Sequence, residues 1–209
     1  MHLYLKKTSY FINVDGIDLS GKSTHINYIG KWMDDNKINY IITRGWEDTD
    51  LGVKLKSIIL HPSCKLTLGA GILMFYADRV QNLAENILPA LEDGKCVITE
   101  RFLPATYAYH ACGLGIDLYR INALNDWIAS PRPTINIILD IPFELFLKRK
   151  KAKMSSDKYE KLDIDFLKRV HDYYRGLKGQ YQCEFIDSSQ DIEIVQSNIS
   201  KILEKVIDI

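Results

Sequence analysis

Along the chain, short unbroken apolar runs alternate with longer stretches whose apolar residues recur every three or four positions. The runs FINV (11–14), INYIIT (38–43), KCVIT (95–99), INIILD (135–140) and CEFID (183–187) predict strands. Segments such as 22–35, 65–92, 142–153 and 190–207 carry the helical spacing, and each predicted strand is expected to be followed by helix. That βαβ rhythm predicts an α/β fold, a five-stranded parallel sheet with helices on both faces. No internal repeat, low-complexity tract or Pro/Gly/Ser-rich linker interrupts it, and residues 1–209 are expected to form a single domain.

Composition narrows the partners. Lys and Arg number 27 and Asp and Glu number 27, a balance that excludes a general polyanion binder and hence nonspecific attachment to nucleic acid. Any anionic ligand must then be met by a few converging cations, and the positions of Arg and Lys become informative. Cys64, Cys96, Cys112 and Cys183 are widely spaced, with no CxxC pair and no histidine cluster at metal-ligand spacing, which fits a reducing cytoplasm. The N-terminus has no apolar segment of signal-peptide length, and no stretch approaches the roughly 18 apolar residues that cross a bilayer, so neither secretion nor membrane insertion is expected.

The strongest local signal is Gly16-Ile17-Asp18-Leu19-Ser20-Gly21-Lys22-Ser23, followed by Thr24. It satisfies G-x-x-x-x-G-K-[ST] between a predicted strand and a predicted helix, the context in which that pattern has a mechanism. Glycines let backbone N–H groups curl around a phosphate chain, the helix N-terminus adds positive potential, Lys22 reaches the outer phosphates and the Ser23 hydroxyl suits Mg2+. Residues 16–24 are thus expected to bind ATP, with Mg2+ as cofactor. A GTPase is disfavoured, because Asn36-Lys37-Ile38-Asn39 lacks the closing aspartate of NKxD. Two carboxylates end predicted strands, Glu100 and Asp140, and either suits a position near the metal.

FINVDGIDLSGKST, TRGWEDTDLG, ILMFYADRVQNLAENILPAL, ITERFLPATYAYH, INIILDIP and DKYEKLDIDFLKRV, in this order and spacing, resemble the thymidylate kinase family over nearly the whole chain. The resemblance implies a P-loop kinase fold with a short lid at about 149–160. It also implies Mg2+-dependent transfer of the ATP γ-phosphate to a pyrimidine deoxynucleoside monophosphate such as dTMP, and a homodimer. Phe75 and Arg79, four apart on one helix face, are implied to stack on the base and bond its edge. Arg101, just past a strand's C-terminal end, is implied to clamp the acceptor phosphate, with Arg44 as a second contact. Asp18 is implied to meet the acceptor 3′-hydroxyl or the metal, alongside Ser23 and Glu100, directly or through water. Tyr109 is implied to crowd the ribose 2′ position, with Thr106 and His110 completing the acceptor site. Leu19 stands where some members carry a P-loop arginine. The lid cations Arg149 and Lys153, with Lys158, are therefore implied to steady the transferred phosphoryl group beside Lys22 and Arg101.

An acceptor phosphate is mostly dianionic at neutral pH, its second pKa being about 6, so this reaction requires no general base. Alignment, charge neutralisation and closure against water suffice. The chain departs from the family at the acceptor side: Glu100 replaces the usual Asp, Gly45-Trp46 the usual Glu-Pro, His110 the usual Gln and Ala105 the usual Ser. Glu100-Arg101 also resembles the strand end of nucleoside kinases, whose hydroxyl acceptor does need a carboxylate base. Two alternatives thus stand beside the leading expectation: a deoxynucleoside kinase, and a nucleotide-binding paralogue without turnover.

Overall fold

A computed structural model describes residues 9–152, 163–180 and 182–207. Its sheet has five parallel strands, β1 (Phe11–Asp15), β2 (Tyr40–Thr43), β3 (Cys96–Glu100), β4 (Ile135–Asp140) and β5 (Cys183–Asp187), in the order β2-β3-β1-β4-β5. All five coincide with the apolar runs to within two residues at either end. Strand β1 is central, pairing Ile12 with Ile98 of β3 and with Ile135 of β4. The loops that follow β1 and its neighbours therefore open at one sheet edge, where open α/β sheets collect ligands.

Alternation along the strands sorts the core. Ile12, Val14, Ile98, Ile137 and Leu139 bury one face against α1 (Lys22–Asp35) and α9 (Ile192–Val206), through Ile26, Ile29, Met33, Val195, Ile199 and Leu203. The opposite face meets two layers. Phe11 and Val97 pack on Leu83, Ile87 and Leu91, while Ile138 packs on Phe146, Phe166, Leu167 and Val170. On that second face β1 also carries Asn13 and Asp15, both wholly buried, an exception to the apolar pattern in the strand that feeds the phosphate loop.

The helical stretch 65–92 resolves into α3 (Leu68–Asn82), a π-helical turn at Leu83–Ile87 and α4 (Leu88–Glu92). Pro89 lacks an N–H to donate into the preceding turn, which accounts for the change of pitch just before it. Helices α2 (Asp50–Leu60), α6 (Leu118–Ile128) and α8 (Ile164–Gly176) lie outside the segments named from periodicity. Each opens on a side-chain cap: Thr49 accepts from the Gly52 N–H, Asp117 from Tyr119 and Asp163 from Phe166. A short α5 (Leu103–Thr106) runs into a second π-helical turn, Tyr107–Gly113, and α7 (Phe143–Ala152) follows β4.

Candidate active site

Residues 16–23 wrap the N-terminus of α1. Gly16 (φ 136°) and Gly21 (φ 93°) have backbone conformations closed to most side chains, and a Cβ on Gly16 would lie 2.5 Å from the Leu139 carbonyl oxygen. Lys22 is 5% exposed, and its Nζ donates to the carbonyls of Gly16 (3.2 Å) and Ile17 (3.0 Å) across the loop. Burial, reinforced by the nearby Arg101 charge, lowers its pKa to about 8. This is an ammonium held where an anion would be welcome.

Beside the loop, the Ser23 hydroxyl donates to Glu100 Oε2 (3.2 Å), and Arg44 Nε lies 3.7 Å from the same oxygen. Arg44 also donates to Asn27 Oδ1 (3.2 Å), and Asp48 accepts from its backbone N–H and from the Thr43 hydroxyl. Of the two strand-end carboxylates, the structure brings Glu100 to Ser23. Asp140 lies instead near Arg175 of α8, at 3.7 Å.

Arg101 sits at φ 66°, a left-handed conformation costly for a side chain with a Cβ. Its guanidinium pairs with Asp18, donates to the Gly16 carbonyl (3.4 Å) and lies 5.0 Å from the centre of the Tyr109 ring. Burial disfavours the Asp18 charge, yet Arg101 and Lys22 together hold its carboxyl below the usual range. From the last turn of α7, Arg149 donates to the Leu19 carbonyl (2.8 Å), placing a second guanidinium against the loop. Of the lid expected at 149–160, residues 149–152 are described. Lys153 and Lys158 lie outside the described residues.

A cleft of about 200 Å3 opens next to Asp18 and Arg101, walled by Trp46, Phe75, Tyr109 and His110. Phe75 and Arg79 share one face of α3 as their spacing predicts, with the guanidinium carbon 4.8 Å from the ring centre. Arg79 donates to the Phe102 carbonyl (3.1 Å) and the Thr106 hydroxyl (2.6 Å), while its Nη1 is buried without a partner. Thr106 is fully buried behind Arg79 and supports it. The His110 ring stands 4.7 Å from Phe75, with Nδ1 buried and unpaired. Burial and the Arg79 charge lower the His110 pKa to about 4, so it is neutral at pH 7. The π-helical turn carries both neighbours, Tyr109 and His110, on the cleft wall. Trp46, one of the departures in the β2 loop, has its ring 5.7 Å from Phe75, and its backbone N–H donates to Asp78 Oδ2 at 3.2 Å.

Sequence reading passed over the groups that hold these side chains, namely Asp15, Asp48, Asp78 and Tyr174. Only Asp15 left a usable signal, as a carboxylate closing the strand that feeds the phosphate loop. Among the described residues no cluster of three or more His, Cys, Asp or Glu is placed to hold a metal by itself, and no helix is long and apolar enough to cross a membrane.

Comparison with known proteins bears on the family and the fold. The sequence model of the family described as Thymidylate kinase matches residues 14–199. The chain is 36% identical over 197 residues to the thymidylate kinase of Neisseria gonorrhoeae strain NCCP11945, covering 93% of this chain and 96% of that one. It is 34% identical to that of Thiobacillus denitrificans over the same shares. The crystal structure of thymidylate kinase from Ehrlichia chaffeensis superimposes with a TM-score of 0.75 at 29% identity, covering 94% of this chain and 98% of that one.

Proposed function

The chain belongs to the thymidylate kinase family, and from that premise we propose that its phosphate loop and neighbouring cleft carry out ATP-dependent phosphorylation of dTMP to dTDP at the residues described above. The observation that supports this assignment of residues is the convergence of Lys22, Arg101 and Arg149 on one loop, next to a cleft walled by Phe75 and His110.

In this reading the backbone of residues 16–24 and Lys22 hold the ATP phosphates, while Arg101 clamps the acceptor phosphate next to them. Arg149, already bonded to the loop, neutralises charge on the phosphoryl group in flight. The base enters the cleft against Phe75, where His110 Nδ1 and the Tyr109 hydroxyl on the wall, and Arg79 Nη1 in the adjoining pocket, are buried polar groups without a partner. Asp18 and Tyr109 flank the sugar, and Arg44 approaches the acceptor phosphate from β2. Glu100 is engaged by Ser23 and Arg44, a surrounding that suits a metal-side carboxylate better than a base for a hydroxyl acceptor.

The donor set fits Mg2+. Ser23 and Glu100 offer hard oxygens 3.2 Å apart beside the loop, and a magnesium ion that draws its other ligands from phosphate and water needs no all-protein cage. Bound there, Mg2+ would neutralise phosphate charge. We keep a single domain, since the clusters on the two faces are built on the same five strands, and a cytoplasmic location, since the four cysteines are widely spaced with no CxxC pair.

An acceptor panel of dTMP, dUMP, UMP, dCMP and thymidine, read by ADP release, tests the assignment. The monophosphates should be accepted with dTMP first, and thymidine should not. His110→Gln should change the order or spread of the monophosphates, because it exchanges a neutral ring for an amide that both donates and accepts. An unchanged ranking removes His110 from base choice.

We propose a homodimer built on α3. Its outward stripe exposes Leu73 (57%) and Val80 (37%), and Val80 adjoins exposed Trp127 of α6 (77%) across a shared cavity. Sedimentation at micromolar concentration should give a dimer for the parent and a monomer for Leu73→Glu. A monomeric parent contradicts the proposal.

A further inference from the structure

Asp15 is wholly buried at the end of β1, and all five groups bonded to its carboxylate are donors. Oδ1 accepts from the Gly16 N–H (2.9 Å) and the Tyr174 hydroxyl (2.7 Å). Oδ2 accepts from the N–H groups of Phe102 (3.2 Å) and Ala105 (3.1 Å), and from Asn13 Nδ2 (3.4 Å). These donors come from three separate pieces of the site. Gly16 is the first residue of the phosphate loop, Phe102 and Ala105 follow the left-handed turn at Arg101, and Tyr174 belongs to α8.

We propose that Asp15 is a positioning residue: it fixes the Arg101 turn relative to the phosphate loop, and through Tyr174 it anchors both to α8. The proposal rests on the reading that Arg101 holds the acceptor phosphate. Without Asp15, the buried N–H groups of Gly16, Phe102 and Ala105 have no common acceptor. The conformation at Arg101, unfavourable for any residue with a Cβ, loses the bonds on its C-terminal side. The cations for donor and acceptor would then no longer be held in mutual register, and reactions of this kind depend on alignment to within about an ångström. A second tie from the same helix supports the anchoring role of α8. Arg169 donates to the carbonyls of Cys112 (3.0 Å) and Gly113 (2.8 Å), which end the π-helical turn that bears Tyr109 and His110.

Asp15→Asn keeps the size of the side chain but turns one acceptor into a donor facing buried N–H groups. Tyr174→Phe removes a single bond and leaves the ring in place, so it remains informative if Asp15→Asn fails to fold. We expect kcat/KM for dTMP to fall about tenfold in either variant, with the affinity of ATP measured on folded protein within about threefold of the parent. The deciding measurement is a double-mutant cycle with Arg101→Ala. If Asp15 acts through Arg101, adding Asp15→Asn or Tyr174→Phe to Arg101→Ala costs less than about twofold more. Effects that multiply in full overturn the proposal and leave the role of Arg101 standing, as do parental kinetics in both single variants. An Arg101→Ala variant with parental kinetics removes the reading of Arg101, and this proposal with it.

Discussion

Replacing Lys22 by methionine should lower kcat about a thousandfold while leaving the protein at least as stable as the parent. The loss follows from the chemistry: Lys22 is the cation on the phosphate loop itself, and a point charge aimed at the transferring phosphates is worth several kcal/mol in a site that excludes water. The stability follows from burial. Lys22 is 5% exposed, and its pKa falls from 10.5 to about 8, so the folded state binds that proton less tightly than the unfolded chain. Below pH 8 the buried charge opposes folding, by about 3 kcal/mol for a shift of this size. The penalty is relieved as pH rises from about 8 to 10.5. Methionine removes it at every pH, and leaving the carbonyls of Gly16 and Ile17 without their donor costs about 1 kcal/mol each. The melting temperature at pH 7 should therefore stay level or rise by a few degrees. The parent should gain on the variant between pH 8 and 10.5. In the parent, ATP affinity should also weaken above pH 8, as the free enzyme loses the ammonium. A variant that loses stability in step with activity would mean that Lys22 is structural first.

Much of the fold was legible because its signals are periodic. Five apolar runs gave five strands, and the phosphate loop gave the sheet edge where the site opens. The capped helices α2 and α6 were harder, since few of their apolar residues are buried and their clearest marks are the single residues Thr49 and Asp117, whereas α8 was passed over although Phe166, Leu167, Val170 and Tyr174 form a regular stripe behind the Asp163 cap. At the site, side chains that point at the ligand space were readable from motif spacing, as with Phe75 and Arg79 on one helical face. Side chains that hold them were not. Asp15, Asp78 and Tyr174 act on residues 32 to 159 positions away, through bonds that exist only after the sheet has formed. Glu100 and Asp140 were equivalent as strand ends, and strand order decided between them. Strand β3 lies on the β2 side of β1, next to Ser23, whereas Asp140 on β4 approaches α8.

Arg101 should prove the most demanding acceptor-side residue, and lysine should not replace it. A guanidinium presents two parallel N–H groups to a phosphate, whereas an ammonium at the same Cα offers a single point charge on a shorter reach. Both Arg101→Ala and Arg101→Lys should lower kcat/KM for dTMP by about a thousandfold, with the KM for ATP within about threefold of the parent. A drop of less than about tenfold in the alanine variant would move the acceptor phosphate elsewhere in the cleft. The backbone makes a separate prediction. At φ 66° alanine pays the same left-handed penalty as arginine and glycine does not, so Arg101→Gly should be more stable than Arg101→Ala by about 1 kcal/mol, though equally inactive. That ordering would locate strain at the residue that catalysis needs, held in place by the bonds from Asp15 to Phe102 and Ala105. If glycine confers no advantage, the turn is relaxed, and the grip of Asp15 serves the geometry of the guanidinium alone.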